Sequence, residues 1–154
     1  MIKILFICHG NICRSPMAEF FMKDLVAKKG LKDNFFIASS ATSSEEIGNP
    51  IYPPVRHILD KRGINYSGKK ATRVKADDYK NYDFLICMDS NNIRNLSRII
   101  GSDPDKKVFK LLDFTSFGGD VADPWYTGDF ATTESDVEAG CEGLLEYIKE
   151  KGFI

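Results

Sequence analysis

This 154-residue chain has no excess of positive charge, because its 21 Lys and Arg residues face 22 Asp and Glu residues. The formal net charge of −1 argues against non-specific nucleic-acid binding, which needs a basic surface to displace counterions from phosphates. No apolar run reaches the 18 residues of a transmembrane helix, so we expect no membrane span. The composition, 43% hydrophobic and 28% charged, is that of a soluble globular domain.

Cysteine and histidine are also scarce. The four cysteines are too few for a disulfide framework, and none belongs to a Cys-x-x-Cys pair. With only two histidines in addition, we expect no metal site. We expect the thiols to be reduced, and each to be either catalytic or part of the core.

The chain begins directly with a strand-like run at residues 2–7. A signal peptide would place a positive region, a longer apolar segment and a small-residue cleavage site there. We therefore expect a cytoplasmic protein.

Strand and helix patterns alternate along the chain. Four apolar segments predict buried parallel strands, at residues 2–7, 35–38, 84–88 and 108–112. Helices are predicted at residues 16–29, 53–62, 76–80, 92–100 and 134–151, and long loops at 39–52 and 118–130. The predicted fold is α/β, a three-layer sandwich in which a four-stranded parallel sheet has helices on both faces. From its length, we expect residues 1–154 to form a single domain.

The most informative segment follows the first strand and reads Cys8-His9-Gly10-Asn11-Ile12-Cys13-Arg14-Ser15-Pro16. In parallel sheets, ligands bind at the carboxyl ends of strands, where this segment lies. Gly10 and Asn11 tolerate positive φ, so the loop can curl and direct successive N–H groups at one phosphate. Ser15 and Pro16 are predicted to be the N-cap and first residue of a helix whose positive end faces that anion. The sequence therefore predicts a phosphate loop.

Cys8 is the predicted nucleophile of this loop. A helix N-terminus, N–H donors and an adjacent cation all favour the reactive thiolate, and the loop supplies the three together. Arg14 is the cation, and its planar guanidinium matches two phosphate oxygens and stabilises charge during phosphoryl transfer. The Ser15 hydroxyl is positioned to donate to the thiolate and later to help it depart.

Two other loop residues have more than one interpretation. Cys13 is either a buried loop residue or a partner that condenses with Cys8 after oxidation and shields it from further oxidation. His9 either hydrogen-bonds substrate or is incidental.

Cleavage of a phosphate ester also requires a proton for the leaving group. The best donor is Asp123, in the predicted loop 118–130, where Pro124 fixes the backbone that follows. The same carboxylate would act as the base on water in a second step. Trp125 and Tyr126 are either walls for a flat aryl substrate or part of the core.

Taken together, these residues resemble the low-molecular-weight protein tyrosine phosphatases over the whole chain. The resemblance rests on the phosphate loop, on Met88-Asp89 with Asn92 nearby, and on Asp123-Pro124-Trp125-Tyr126. It implies hydrolysis of phosphotyrosine and aryl phosphate monoesters through a phosphocysteine on Cys8. It further implies that Arg14 binds phosphate, that Asp123 is the general acid and base, and that no metal or organic cofactor takes part.

The resemblance also implies roles for neighbouring residues. Asn11, Ser15 and Ser39 are expected to support the loop, and Cys8 and Cys13 to form a reversible disulfide. The residues expected to bind substrate are His9, Gly10, Asn11, Ile12, Cys13, Ser15, Glu45, Trp125 and Tyr126. The expected partners are phosphotyrosine-containing proteins, with a tyrosine kinase among the candidates, and the product is inorganic phosphate.

The chain departs from the family pattern at two places. Glu45 stands where the family usually carries an aromatic residue, so one wall of the pocket is expected to be negative and to disfavour acidic phosphopeptides. The family's His-x-Ala-Arg stretch reads Lys69-Lys70-Ala71-Thr72 here. A histidine that braces the loop through Asn11 is therefore missing, and we expect a looser loop.

Three other functions fit the sequence less well. A thioredoxin-coupled arsenate reductase would need further cysteines soon after the third strand, where Cys87 stands alone. A phosphotyrosine-binding module would require a defect at Cys8, Arg14 or Asp123, and the sequence has none. A phosphocysteine carrier of the sugar phosphotransfer type needs neither the Arg-Ser ending nor a general acid. Hydrolysis of a simple aryl phosphate separates all three from the phosphatase.

Overall fold

The fold is a three-layer α/β sandwich, as the sequence predicts. The computed structural model describes residues 1–154. One parallel sheet of order β2-β1-β3-β4 contains β1 (Ile2–Cys8), β2 (Phe35–Ala41), β3 (Phe84–Cys87) and β4 (Val108–Lys110). The helices are α1 (Arg14–Lys28), α2 (Pro53–Lys61), α3 (Asp78–Asn81), α4 (Ser90–Ile100), α5 (Pro124–Thr127) and α6 (Phe130–Glu150). None of them combines the length and the apolar character needed to cross a bilayer.

Strand β1 lies inside the sheet and is covered on both faces. Ile4 and Phe6 face the larger core, which α1, α2 and α6 complete. Leu5 and Ile7 face a smaller core that includes Leu96 of α4. Because both faces are buried from Ile4 onward, the sequence of β1 is a continuous apolar run after the exposed Lys3.

Two strand ends differ from those predicted by more than one residue. Strand β2 continues to Ala41, so that Ser39 lies in a strand and not in the predicted loop, because pairing with β1 extends the ladder to Cys8. Strand β4 ends at Lys110, and the apolar residues that follow form a 3₁₀ helix, Leu111–Phe114. Apolar content alone does not separate a strand from a buried 3₁₀ turn.

The predicted loop 118–130 also contains structure. Its middle forms the single turn of α5, and α6 begins at Phe130, four residues before the predicted start. The Asp129 side chain caps α6 by accepting a hydrogen bond from the Thr132 N–H at 3.0 Å. This cap is local and polar, so the apolar pattern of the helix does not report it.

Helix α6 approaches the 3₁₀ helix so closely that Gly143 is required. A Cβ atom on Gly143 would lie 2.1 Å from the backbone oxygen of Phe114. We expect Gly143→Ala to reduce the free energy of unfolding by about 1–3 kcal/mol, even though alanine is the better helix former. Urea unfolding of Gly143→Ala measures this loss. The control is Glu142→Ala at the exposed neighbouring position, and equal stability of the two variants would contradict the prediction.

Candidate active site

The loops that form the site lie at one edge of the sheet. In the parallel ladders, Cys8 pairs with Ala41, and Cys87 pairs with Lys110. The strands therefore end side by side, with the predicted phosphate loop after β1 at the centre. Strand β2 lies on one side of β1, and the next strand along the chain, β3, lies on the other side. Ligands bind to α/β sheets where the strand order switches in this way.

The loop from His9 to Ser15 has unused backbone donors. Its only backbone N–H group with a partner in the protein is that of Asn11, which donates to the Cys8 sulfur at 3.3 Å. Asn11 has a φ of +59°, whereas Gly10, which was expected to share this conformation, does not. A buried loop with successive free N–H groups is an anion-binding nest, and Cys8 lies at its base.

The helix after the loop begins earlier than predicted. Helix α1 starts at Arg14 with Cys13 as its N-cap, and no side chain caps it, so the assignment of Ser15 as the cap was wrong. The Ser15 hydroxyl instead lies 3.0 Å from the Cys8 sulfur and accepts a hydrogen bond from Asn11 Nδ2 at 2.8 Å. The free N–H groups of the first turn thus remain directed at the loop.

Arg14 is buried at the edge of the loop, and three oxygen atoms hold it. Its Nη1 donates to Asp89 Oδ2 at 2.6 Å and to the Val121 carbonyl at 2.9 Å, and its Nη2 to Asp123 Oδ2 at 3.4 Å. Burial opposes the charge, but the thiolate of Cys8 and the two carboxylates together raise the pKa of Arg14. The guanidinium is therefore a permanent cation with a fixed orientation.

Asp123 lies across the pocket from the loop and is the residue directly before α5. Its Oδ1 accepts the Trp125 N–H at 3.1 Å, which caps α5, while Oδ2 faces Arg14. The side chain is only partly buried, with 23% of its surface exposed. A carboxyl group in this position reaches both the pocket and solvent, as a proton donor and water-activating base must.

A pocket of about 120 Å³ opens above the Cys8 sulfur. It is lined by residues of the loop, of the segment after β2 and of the segment around α5, namely Cys8, His9, Gly10, Ile12, Cys13, Arg14, Glu45, Glu46, Asp123, Trp125 and Tyr126. Trp125 and Tyr126 are 53% and 82% exposed, which excludes the interpretation that they belong to the core. Asn11, Ser15 and Ser39 lie beneath the pocket and do not line it.

The thiols other than Cys8 are in environments that keep them protonated. Burial, with the charges of Cys8 and Asp123, raises the pKa of Cys13 to about 12. Burial also raises the pKa of Cys87 and of Cys141. All four cysteines are free, and Cys13 lies in the same pocket as Cys8.

Glu45 and His9 form one side of the pocket mouth. The two side chains meet with His9 Nε2 and Glu45 Oε2 3.0 Å apart, and both are largely exposed. Glu46, which the sequence did not single out, lies beside them next to Gly10. The wall is acidic, as the replacement of an aromatic residue by Glu45 predicts, but His9 faces one of its carboxylates.

Asn11 and Ser39, which the resemblance names as supports of the loop, hold it together with Thr72 and Glu19, which sequence reasoning missed in this role. Asn11 Oδ1 accepts the Thr72 N–H at 3.1 Å, and Asn11 Nδ2 donates to Ser39 Oγ at 2.9 Å. Ser39 in turn donates to the buried carboxylate of Glu19 at 2.6 Å. The one available signal was Glu19 itself, a charged residue inside the apolar run Met17–Met22.

Lys69 stands at the sequence position of the missing histidine and contacts the supports of the loop. Lys69 comes within 3.4 Å of Glu19 and donates to the Ser39 carbonyl at 2.9 Å. Asp89 is a further supporting residue, because it orients Arg14 and also caps α4 by accepting the Asn92 N–H at 2.8 Å. Apart from the local cap of α4, these contacts join distant segments, so no spacing in the sequence reports them.

Comparison with known proteins assigns the arrangement to a family. The family model described as "Low molecular weight phosphotyrosine protein phosphatase" matches residues 3–153. The chain is 39% identical to low molecular weight protein-tyrosine-phosphatase YfkJ of Bacillus subtilis over 153 residues, covering 98% of each chain. It is 36% identical to the PtpA protein of the same description from Staphylococcus epidermidis, covering 96% of this chain and 94% of the relative.

Solved structures agree with this assignment. The crystal structure of Bacillus subtilis YfkJ superposes with a TM-score of 0.94, covering 99% of this chain and 97% of that one. The crystal structure of SP-PTP, a low molecular weight protein tyrosine phosphatase from Streptococcus pyogenes, gives a TM-score of 0.83 at 39% identity, covering 97% and 93%.

Proposed function

This chain belongs to the low-molecular-weight phosphotyrosine protein phosphatase family, and we propose that it hydrolyses phosphotyrosine and aryl phosphate monoesters through a phosphocysteine on Cys8. The observation that carries the proposal is the loop of free N–H groups that follows Cys8, in which the Asn11 N–H donates to the Cys8 sulfur and the buried cation of Arg14 lies at the far end. Such a loop binds a phosphate dianion and holds its phosphorus against the nucleophile.

In the first step, the Cys8 thiolate attacks phosphorus, so that an S–P bond forms as the P–O bond to the tyrosine breaks. Asp123 gives its proton to the departing phenolic oxygen, which prevents the release of an unfavourable anion. Loop N–H groups and Arg14 bind the equatorial oxygens and stabilise the charge on them.

In the second step, the Asp123 carboxylate takes a proton from water, and the water oxygen attacks the phosphocysteine. The S–P bond breaks, inorganic phosphate leaves, and the thiolate re-forms. The Ser15 hydroxyl, 3.0 Å from the sulfur, donates to it as negative charge returns. The site thus regains its initial protonation state.

The pocket walls favour a flat aryl group. The exposed faces of Trp125 and Tyr126 border the opening, and Trp125 packs on Tyr52 with ring centroids 4.9 Å apart. Apolar walls of this kind bury an aromatic ring by stacking. We also propose that the chain acts as a single cytoplasmic domain on phosphotyrosine-containing proteins, with a tyrosine kinase among the candidates, and that Cys13 protects Cys8 by a reversible disulfide.

The test is hydrolysis of p-nitrophenyl phosphate and of a phosphotyrosine peptide by the reduced protein, in the presence of a metal chelator. We expect turnover of both substrates without added metal. The reduced, folded protein turning over neither would refute the proposal. In that case, phosphotyrosine binding without hydrolysis would indicate a binding module, and arsenate reduction would indicate the reductase.

The acidic wall predicts a preference among peptides. Removing the charge of Glu45 with Glu45→Gln should raise kcat/KM for a phosphotyrosine peptide with acidic flanks by about two- to fivefold, because an exposed charge at the rim acts weakly. A peptide with neutral flanks should change little. Glu150→Gln, at the exposed end of α6, is the control for net charge. Equal effects of both variants would contradict the role of Glu45.

A further inference from the structure

Lys69 is a lysine whose side chain is largely buried. Only 12% of its side chain is accessible, and its Nζ donates to the Ser39 carbonyl at 2.9 Å and lies 3.4 Å from Glu19 Oε1. Lys23 holds the other oxygen of Glu19 at 2.6 Å, but from a side chain that is 44% exposed. Lys69 is therefore the more buried of the two lysines that pair with the Glu19 carboxylate beneath the loop.

The hydrogen bonds between Glu19 and Cys8 run in one direction. Thr72 N–H donates to Asn11 Oδ1, which identifies Nδ2 as the donor atom of that amide. Nδ2 donates to both Ser39 and Ser15, and Ser39 donates its own hydrogen to Glu19. Because Ser15 Oγ accepts from Asn11, its hydroxyl hydrogen is left to point at the Cys8 sulfur 3.0 Å away.

This direction depends on the charge of Glu19. An ionised carboxylate only accepts hydrogen bonds, so Ser39 must donate to it and is free to accept from Asn11. A buried carboxylate keeps its charge when a cation lies beside it, and Glu19 is 4% exposed. Burial lowers the pKa of Lys69, while the charges of Glu19 and, more weakly, of Cys8 favour the ammonium.

We propose that Lys69 is a positioning residue for the phosphatase reaction. With Glu19, it fixes the direction of the hydrogen bonds that end in the Ser15 hydroxyl donating to the Cys8 sulfur. The inference rests on the proposed function, because the sulfur that Lys69 serves is the proposed nucleophile. Lys69 touches neither substrate nor the sulfur.

The test compares Lys69→Met with Lys70→Met, which removes the same charge from the exposed neighbouring residue. We expect kcat for p-nitrophenyl phosphate to fall about tenfold in Lys69→Met, with KM within about twofold of wild type, because the loop amides and Arg14 still bind phosphate. Lys69→Arg, which keeps a charged donor, should recover most of kcat. Lys69→Gln keeps a donor without the charge, and we expect it to lose kcat as Lys69→Met does.

A second readout does not depend on turnover. Alkylation of Cys8 by iodoacetamide near pH 6 reports the fraction of thiolate, and the Cys8→Ser variant supplies the background from the three buried thiols. We expect alkylation to slow in Lys69→Met and Lys69→Gln but not in Lys70→Met. Circular dichroism establishes that each variant is folded, and Lys69→Gln replaces Lys69→Met if the latter does not fold.

Two results would overturn the role of Lys69. In the first, kcat and the rate of alkylation are the same in Lys69→Met as in Lys70→Met. The other is a loss that lies in KM alone, which would indicate a distorted phosphate site. A wild type that is alkylated rapidly at Cys8 but hydrolyses nothing would instead refute the proposed function, and the alkylation rates would still test Lys69.

Discussion

The Cys8→Ser variant is expected to lose at least about a thousandfold in turnover of p-nitrophenyl phosphate while remaining folded. The reason is chemical, because a serine hydroxyl at this position is not ionised near neutral pH and is a poor nucleophile without a base beside it. The serine oxygen occupies nearly the same volume and still accepts from Asn11 N–H and meets Ser15. Stability should therefore change little.

Steady-state kinetics and a thermal melt test this together. Inorganic phosphate should still raise the melting temperature of Cys8→Ser, since the N–H groups and Arg14 that bind it remain, and a ligand stabilises the state that it binds. Cys141→Ala, which changes a buried thiol of α6 away from the pocket, serves as the control and should keep its turnover. Cys8→Ser with more than a tenth of wild-type turnover would contradict nucleophilic catalysis by this thiol.

The Asp123→Asn variant is expected to lose about a hundredfold or more in kcat/KM for a phosphotyrosine peptide. Asparagine keeps an oxygen to cap α5 through the Trp125 N–H, so the change removes the proton donor and not the local structure. The loss should be smaller with p-nitrophenyl phosphate, because p-nitrophenolate leaves readily without a proton. A general acid is distinguished by this dependence on the leaving group.

Asp120→Asn is the matched control. Asp120 is exposed, lies three residues earlier in the same connection and pairs with Lys110 at 3.0 Å outside the pocket. Its replacement should leave kcat/KM for both substrates close to wild type. Equal losses of Asp123→Asn with the two substrates would show that the carboxylate only orients Arg14, which it faces at 3.4 Å.

The fold was predictable because its signals are local. Continuous apolar runs mark strands that are buried on both faces, and β1 is such a run, with two cores against it. The boundaries were less predictable wherever an element is extended by a distant partner. Strand β2 reaches Ala41 because β1 pairs with it, so that Ser39 moved from a predicted loop into a strand.

The predicted start of helix α1 was also wrong. Ser15 and Pro16 have the residue types of an N-cap and a first helical residue, yet α1 begins at Arg14. Contacts within the loop decide this, because Asn11 and Cys8 bind the Ser15 hydroxyl that would otherwise cap the helix. A side chain with two competing uses takes the one that satisfies more buried groups.

The sequence by itself determined the reaction, since nucleophile, anion-binding loop and cation lie within eight consecutive residues and the acid stands in an identifiable Asp-Pro turn. Their chemistry follows from residue type and short spacing, which a chain displays before it folds. Ser39 was an expected support of the loop, but only the tertiary structure decided which groups it binds and that Glu19 and Lys69 join it. Lys69, Glu19 and Ser39 come from three separate segments, and their hydrogen bonds form only once β2 and α1 pack against β1. Contacts between distant segments are consequences of packing and leave no periodic signal in the sequence.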